Sequence, residues 1–344
     1  MSRSSRPEGC RVRPVFLITV DTEGDNLWAR PREITTRNAE FLPRFQELCE
    51  RYGLRPTYLA TYEMACSPTF REFGLDLLGR GTGEIGTHPH AWNTPPLVPL
   101  THDDLYHQPY LIEYPEPVMA EKIRVLTELL EDTFGVKMRS HRAGRWGFSE
   151  TYARLLLRHG YLVDCSVTPH VSWRGHLGAP GGPGGPDYRN FPEDPYFVDS
   201  LDISRPGRST LLEVPVTIVP SGWRSLGNLR ERVRSVPLLR RAVHRFLPAV
   251  YWLRPDRRNL PHMLRIVRQA AELGRTHLEF MVHSSELMPA GSPLFPTRDH
   301  IERLYANLEA LFELAARTCT PATLSEFYDA YRARAYPFAG GLIP

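Results

Sequence analysis

Val15-Phe-Leu-Ile-Thr-Val20 runs directly into Asp21-Thr-Glu-Gly-Asp25. An uncharged run of this length, rich in β-branched residues, reads as a buried strand, and the acids after it mark where that strand surfaces. The next segment, Asn38 to Tyr52, carries Phe41, Phe45, Leu48, Cys49 and Tyr52 at helical spacing. Thr57 to Tyr62 is strand-like, Phe70 to Leu78 fits a short helix, and Glu84 to His88 is a further short strand. A helical stripe follows at Ile123, Leu126, Leu129, Leu130 and Phe134, and Ser149 caps a helix ending at Gly160.

Tyr161 to Val167, Leu211 to Val219 and His277 to Val282 are expected to be strands. Two helices close the chain. One carries Ile301, Leu304, Leu308, Leu311 and Phe312; the other is expected to start with Thr320 as cap and Pro321 as first helical residue. Strands alternating with helices specify an α/β fold, with a parallel sheet that is either open or closed into a barrel.

Two stretches break this rhythm. Gly175 to Pro186 is so rich in glycine and proline that it is expected to be a flexible surface excursion. Ser221 to Asn259 interleaves ten arginines with Leu238, Leu239, Val243, Phe246, Leu247, Val250, Tyr251 and Trp252. Such a basic amphipathic insertion suits an anionic membrane surface or a phosphorylated ligand, or else a helical hairpin packed on the barrel. The expected organisation is a polar tail over 1–14, the α/β unit over 15–335 with 170–260 as loop and basic helical insertion, and a second tail over 336–344.

Composition bounds the rest. With 42% hydrophobic and 24% charged residues, the 344-residue chain is a globular one. A net charge of +3 is too small to argue for nucleic acid. The five cysteines, at 10, 49, 66, 165 and 319, lack the close spacing of a zinc knuckle or redox pair and read as free thiols. No run reaches the ~18 apolar residues of a membrane span, and Met1 to Pro14 has no secretory h-region. The expected compartment is the cytoplasm, possible membrane contact being confined to 221–259.

In parallel β/α folds, reactive side chains sit at the carboxyl ends of strands. Asp21 and Glu23 are two apart and face one side of an extended segment, and His88 and His90 do the same after the third strand. The last strand delivers His283 into a Ser-Ser-Glu loop. Singly, each has an ordinary explanation: a turn-forming Asp, a loop His. Together, two imidazoles and a carboxylate around an open position are the ligand set of a hydrolytic zinc or similar ion, with a second carboxylate and a further His as acid–base pair.

Thr19-Val-Asp-Thr-Glu-Gly-Asp25, Glu84-Ile-Gly-Thr-His-Pro-His90, His141-Arg-Ala-Gly-Arg145, Asp164-Cys-Ser166 and Met281-Val-His283 occur in that order. The set resembles the five motifs of the polysaccharide deacetylases (carbohydrate esterase family 4, the NodB homology domain). The resemblance implies a distorted (β/α) barrel of about seven parallel strands, with metal-dependent removal of an acyl group from an amino sugar. It implies Asp21 as catalytic base, His88 as metal ligand and Arg142 as the group that orients the base. Asp164 would tune the acid, and His283 would be the acid that protonates the leaving amine. It departs from the family pattern at Thr22, where a second adjacent aspartate is usual, so Glu23 takes that ligand role with Asp25 in reserve. It departs again at Trp92, where the second histidine is usual, so His90 must serve. Ala143-Gly-Arg-Trp146 replaces the usual proline and aromatic of the third motif.

The expected activity is therefore that of a divalent-metal hydrolase, zinc being the expected ion. Its substrate would be an amino-sugar-containing saccharide, or a nucleotide- or lipid-linked precursor, in building surface polysaccharide or lipopolysaccharide. Trp92, Asn93, Arg145 and Trp146 are expected to shape the substrate cleft, and Tyr188, Arg189, Tyr196, Trp223 and Trp252 are further candidates for sugar contact. Two other readings compete: a carbohydrate-binding homologue without catalysis, and a metal-independent amidase using Asp21 and His283. Bound metal separates the first reading from these two.

Overall fold

The computed structural model describes residues 13–221 and 250–335. Residues 222–249, which hold Trp223 and most of the arginine-rich insertion, lie outside the described residues, as do most of the N-terminal tail and residues 336–344.

Twelve strands are described: β1 (Val15–Thr22), β2 (Thr57–Ala60), β3 (Glu84–Thr87), β4 (Ser140–His141), β5 (Val163–Asp164), β6 (Tyr196–Asp199), β7 (Asp202–Pro206), β8 (Leu212–Glu213), β9 (Ile218–Pro220), β10 (Val250–Trp252), β11 (His277–His283) and β12 (Thr320–Pro321). Seven of them run parallel in the order β11-β1-β2-β3-β4-β5-β8, with helices in each connection except that from β5 to β8, which holds β6 and β7. The sheet curls toward closure: Thr217, past β8, donates its N–H to Glu279 O at 3.3 Å, and Met281 N–H reaches Leu253 O at 3.2 Å. The result is a distorted (β/α) barrel, as the sequence led us to expect. β6 and β7 extend the sheet antiparallel beyond β8, and β9 pairs with β10 in a separate ribbon.

Side-chain alternation along β1 shows how the barrel is layered. Phe16, Ile18 and Val20 point outward into the main core, where Phe45, Phe280 and Phe312 join them. Leu17 points inward and packs with Leu59, Val163, Leu212 and Phe327, the last from the C-terminal helix Leu324–Ala335. Above Leu17 on this inner face come Thr19, bonded to Glu279 at 2.9 Å, and then Asp21. The barrel interior thus grades from apolar at the strand starts to charged at the strand ends.

Three local expectations differ from what is observed. The C-terminal helix starts at Leu324, not Pro321. Thr320–Pro321 instead pair with β1, and Thr323 with Glu326 form the reciprocal capping box, at 2.9 and 3.3 Å. The strands expected over 161–167 and 211–219 shrink to two or three residues each. The Gly175–Pro186 stretch is packed down rather than free: Ala179 N–H bonds Glu113, Leu177 O accepts from Arg145, and Gly184 and Gly185 are buried. Gly184 has φ +76°, and a Cβ there would meet Arg174 O at 2.2 Å, so glycine permits this close approach.

Candidate metal centre and active site

Every candidate begins where a strand ends. In the parallel register Asp21 lies beside His283, and Thr87, the residue before His88, lies beside His141, the residue before Arg142. The next backbone bonds carry the ladder upward, His88 N–H to Ala60 O at 2.8 Å and Arg142 N–H to Thr87 O at 3.0 Å. Local alternation then brings Glu23 to the inner side with Asp21, while Thr22 turns back to bond Val20 O.

Glu23, His88 and His90, all buried, present donor atoms to one another. His88 Nε2 to His90 Nε2 is 3.2 Å, His90 Nε2 to Glu23 Oε2 is 3.4 Å, and His88 Nε2 to Glu23 Oε2 is 3.9 Å. A triangle with sides of 3.2, 3.4 and 3.9 Å has a circumradius of about 2.0 Å, which matches the zinc–nitrogen and zinc–oxygen lengths of roughly 2.0–2.2 Å. His88 Nδ1 donates to Arg142 O at 2.9 Å, which leaves a bare lone pair on Nε2 aimed inward. His90 stacks on Trp92, with ring centroids 4.4 Å apart, and its Nδ1 is buried without a partner. Burial pushes His88 down to about 4 against the pull of Asp21, and burial with the charge of His88 lowers His90, so both rings are neutral at physiological pH. Burial, and then the charges of Asp21, Glu63 and Glu286, push Glu23 well above the usual carboxylate range. Two neutral nitrogens facing each other beside a carboxylate that resists ionising fit a divalent cation.

Asp25 is not in this set. Its carboxylate accepts from Thr35, from the backbone N–H groups of Arg37 and Asn38 and from the Asn38 amide, which folds the following loop.

Asp21 stands beside the cluster, with Oδ2 4.0 Å from His88 Nε2 and 3.8 Å from His283 Nε2. Its other oxygen accepts from Arg142, a fully buried guanidinium that also donates to Glu279, to Thr19 at 2.9 Å and to Cys165 O at 2.9 Å. Burial would raise Asp21, but Arg142, His88 and His283 outweigh it and hold the carboxyl below its ordinary value. Of two neighbouring acids, one is kept ionised and the other held back.

His283 occupies the opposite wall. Its Nε2 lies 3.8 Å from Asp21 and 3.9 Å from Glu23, while its Nδ1 sits between Arg254 at 3.1 Å and Glu286 at 3.3 Å. Glu286 also accepts the backbone N–H of His283, at 2.9 Å, and a bond from Arg254, at 2.8 Å. Burial raises Glu286, yet Arg254 and His283 bring it down to about 2. The carboxylate beside His283 is therefore Glu286, not Asp164. Asp164 lies on the other face of β5 from the inward-pointing Val163, where it bonds His141 at 2.6 Å and Ser166 at 2.9 Å. The sequence placed Glu286 only in the Ser-Ser-Glu loop that follows His283.

The cleft over the cluster has a volume of about 300 Å³. Trp92, Arg145 and Trp146 line it; Asn93 does not, and its amide instead donates to Glu63 at 2.6 Å. Trp28, Tyr110, Trp173 and Arg254 also line it. Gly144 lets the third motif approach, since a Cβ there would meet His90 at 2.6 Å. Arg145 and Trp146 then adopt φ of +54° and +62°, a conformation non-glycine residues enter at a cost. Tyr188 and Tyr196 are core residues bonded to the carbonyls of Trp146 and Ile203, and Arg189 pairs with Asp187 at the surface.

No family profile and no curated protein matches the sequence. Solved structures do. A protein from Mycobacterium smegmatis named as a polysaccharide deacetylase superposes with a TM-score of 0.52 at 15% identity, over 97% of this chain and 95% of that one. This chain shares the fold of that protein. One from Parabacteroides distasonis, named as a glycoside hydrolase/deacetylase, gives 0.57 at 11% identity over 94% and 73%. The 4-alpha-glucanotransferase of Thermococcus litoralis gives 0.52 at 13% identity, over 93% of this chain and 40% of that one. At these identities the likeness is one of fold, and the chemistry must be argued from the residues. Among the described residues, no helix is long and apolar enough to cross a membrane.

Proposed function

We propose that the protein is a metal-dependent hydrolase that removes an N-acyl group, acetyl being the simplest, from an amino sugar. The observation that carries this reading is the common circle of about 2.0 Å on which Glu23, His88 and His90 place their donor atoms, with Asp21 and His283 on either side. A divalent ion there, zinc by donor chemistry, would supply Lewis acidity toward an amide carbonyl and lower the pKa of a water.

The protein's own groups supply the rest. Asp21, ionised by Arg142, accepts the proton of the attacking water. His283 presents Nε2 to the leaving nitrogen and delivers a proton to it, with Glu286 as the counter-charge behind the ring. The amide C–N bond breaks, and the products are a carboxylate and an amine. Trp28, Trp146 and Trp173 offer flat apolar faces of the kind that stack on sugar rings. The substrate in this reading is a saccharide or its nucleotide- or lipid-linked precursor, used in making surface polysaccharide or lipopolysaccharide.

The test uses zinc-loaded protein and N-acetylglucosamine oligosaccharides, following release of acetate and of primary amine. Asp21→Asn is expected to keep one zinc per chain and lose on the order of 10²–10⁴ in rate. His88→Ala is expected to lose both metal and activity. Amine release that survives full chelation would overturn the proposal, as would a His88→Ala variant that retains stoichiometric zinc.

A further inference from the structure

The charges around the cleft do not balance. Of its lining groups, Asp21 is matched by Arg142 and Arg254 by Glu286, while Glu23 belongs to the metal cluster. Arg30 and Arg145 remain. Among the described residues, neither has a carboxylate within 4.0 Å. Arg30 is exposed, with its guanidinium 4.8 Å from the centre of the Tyr106 ring. Arg145 lies 4.2 Å over the Tyr110 ring and is braced by neutral carbonyls alone, those of Gln108 and, at 3.0 Å, Leu177. The acid nearest to hand, Glu113, is used by the backbone N–H groups of Tyr110, at 2.7 Å, and Ala179, at 3.1 Å.

Both cations line the same cleft, and Glu113, though its charge acts on Arg145, spends its hydrogen bonds on backbone N–H groups. Holding an unpaired guanidinium half-buried costs free energy, and so does the left-handed backbone that aims Arg145 at the cleft. Both costs fall on one residue at the rim of the metal cluster. A bound divalent ion would make the cleft more positive still, because Glu23 neutralises only half of it.

We propose that Arg30 and Arg145 form an anion-binding subsite beside His90, so that the preferred saccharide carries a phosphate or carboxylate group. The inference rests on the cleft being the substrate site. Arg145 is the rigid member, fixed by two carbonyls and an aromatic face, and it retains free N–H groups. Arg30, on the exposed loop after Trp28, closes on the anion from the solvent side. The small cleft fits one ring and its charged substituent better than a long neutral polymer segment.

The experiment is calorimetric titration of the full-length zinc-loaded protein with N-acetylglucosamine, N-acetylglucosamine 1-phosphate and N-acetylmuramic acid. At low salt, one or both charged sugars are expected to bind at least about tenfold more tightly than the neutral one. The phosphate and carboxylate arms show which anion is read. Arg145→Gln is expected to cut that preference to within about threefold, and Arg30→Gln to reduce it partway. Arg30 is exposed, so its variant keeps the test open if Arg145→Gln folds poorly. Equal binding of all three sugars would overturn the proposal. So would a preference that persists in the double variant, which would place the anion on the metal. Hydrolysis of neutral and charged sugars alike would sink the subsite only, whereas arginine-dependent preference without hydrolysis would sink only the hydrolase reading.

Discussion

Glu23→Gln is expected to make the metal-free protein more stable and to shrink the stabilisation that zinc adds. Glu23 is 5% exposed, with His90 Nε2 at 3.4 Å and His283 Nε2 at 3.9 Å, and Asp21 beside it. In the unfolded chain it ionises near its ordinary value of 4.5, whereas in the folded metal-free protein its pKa is well above that. Between these two values the folded state holds a proton that the unfolded state has lost, so stability falls as pH rises through that window. Each pH unit of displacement is worth about 1.4 kcal/mol. Glutamine keeps the shape and removes the charge, so the metal-free variant should gain on the order of 1–3 kcal/mol near neutral pH. At about 2–4 °C per kcal/mol, that is a rise in Tm of roughly 2–12 °C. Zinc acts in the opposite sense. At one hundred times Kd it adds about 2.7 kcal/mol to the wild type, and removing one of three donors weakens binding by at least ~10–100-fold, about 1.4–2.7 kcal/mol. Calorimetric melts in chelator and in zinc check both halves. A variant that melts lower than wild type in chelator, yet keeps the full zinc response, would refute the assignment of Glu23 as a ligand held in place against its own electrostatics.

Three further outcomes follow from the same geometry. Arg142→Met should cost about 3–5 kcal/mol, because Asp21 and Glu279 lose their shared buried cation. Glu279, already raised to about 7 by burial against the pull of Arg142, and Asp21 would then both take up protons on folding. The deficit should shrink as pH is lowered, and a pH-independent melt would contradict this. Asp164→Asn should lower stability while leaving the rate per folded, zinc-loaded enzyme in place, whereas Glu286→Gln should lower that rate; the reverse pattern would restore Asp164 as partner of the acid. Lys122, fully buried, donates to the carbonyls of Ala91 at 2.9 Å and of Thr94 and Pro96 at 2.6 Å each, holding the loop that carries Trp92. Lys122→Met should cost about 3 kcal/mol and weaken zinc binding measured by competition with a chromophoric chelator; unchanged zinc affinity would show that this loop does not position His90.

Much of the site was legible because strand periodicity is strict. Two-residue spacing put Asp21 with Glu23 and His88 with His90 on common faces, and the structure keeps both pairs together. The role expected for Asp164 came from the family resemblance and not from this spacing, and β5, only two residues long, carries too little alternation to show which face is inside. Glu286 lies only three residues past His283, but the arrival of Arg254 on His283 and the gathering of Trp28, Trp146 and Trp173 around one cleft depend on loops from different strands. No local pattern encodes those meetings.

The order of strands and helices, the inward face of β1 and the identity of the chemical groups at the strand ends were fixed by the sequence alone, since burial and alternation act within a few residues. Which acid is ionised and which arginines go unpaired were decided by the tertiary structure. Those properties are set by burial and by charges brought within a few ångströms from segments more than a hundred residues apart, and neither exists until the barrel closes.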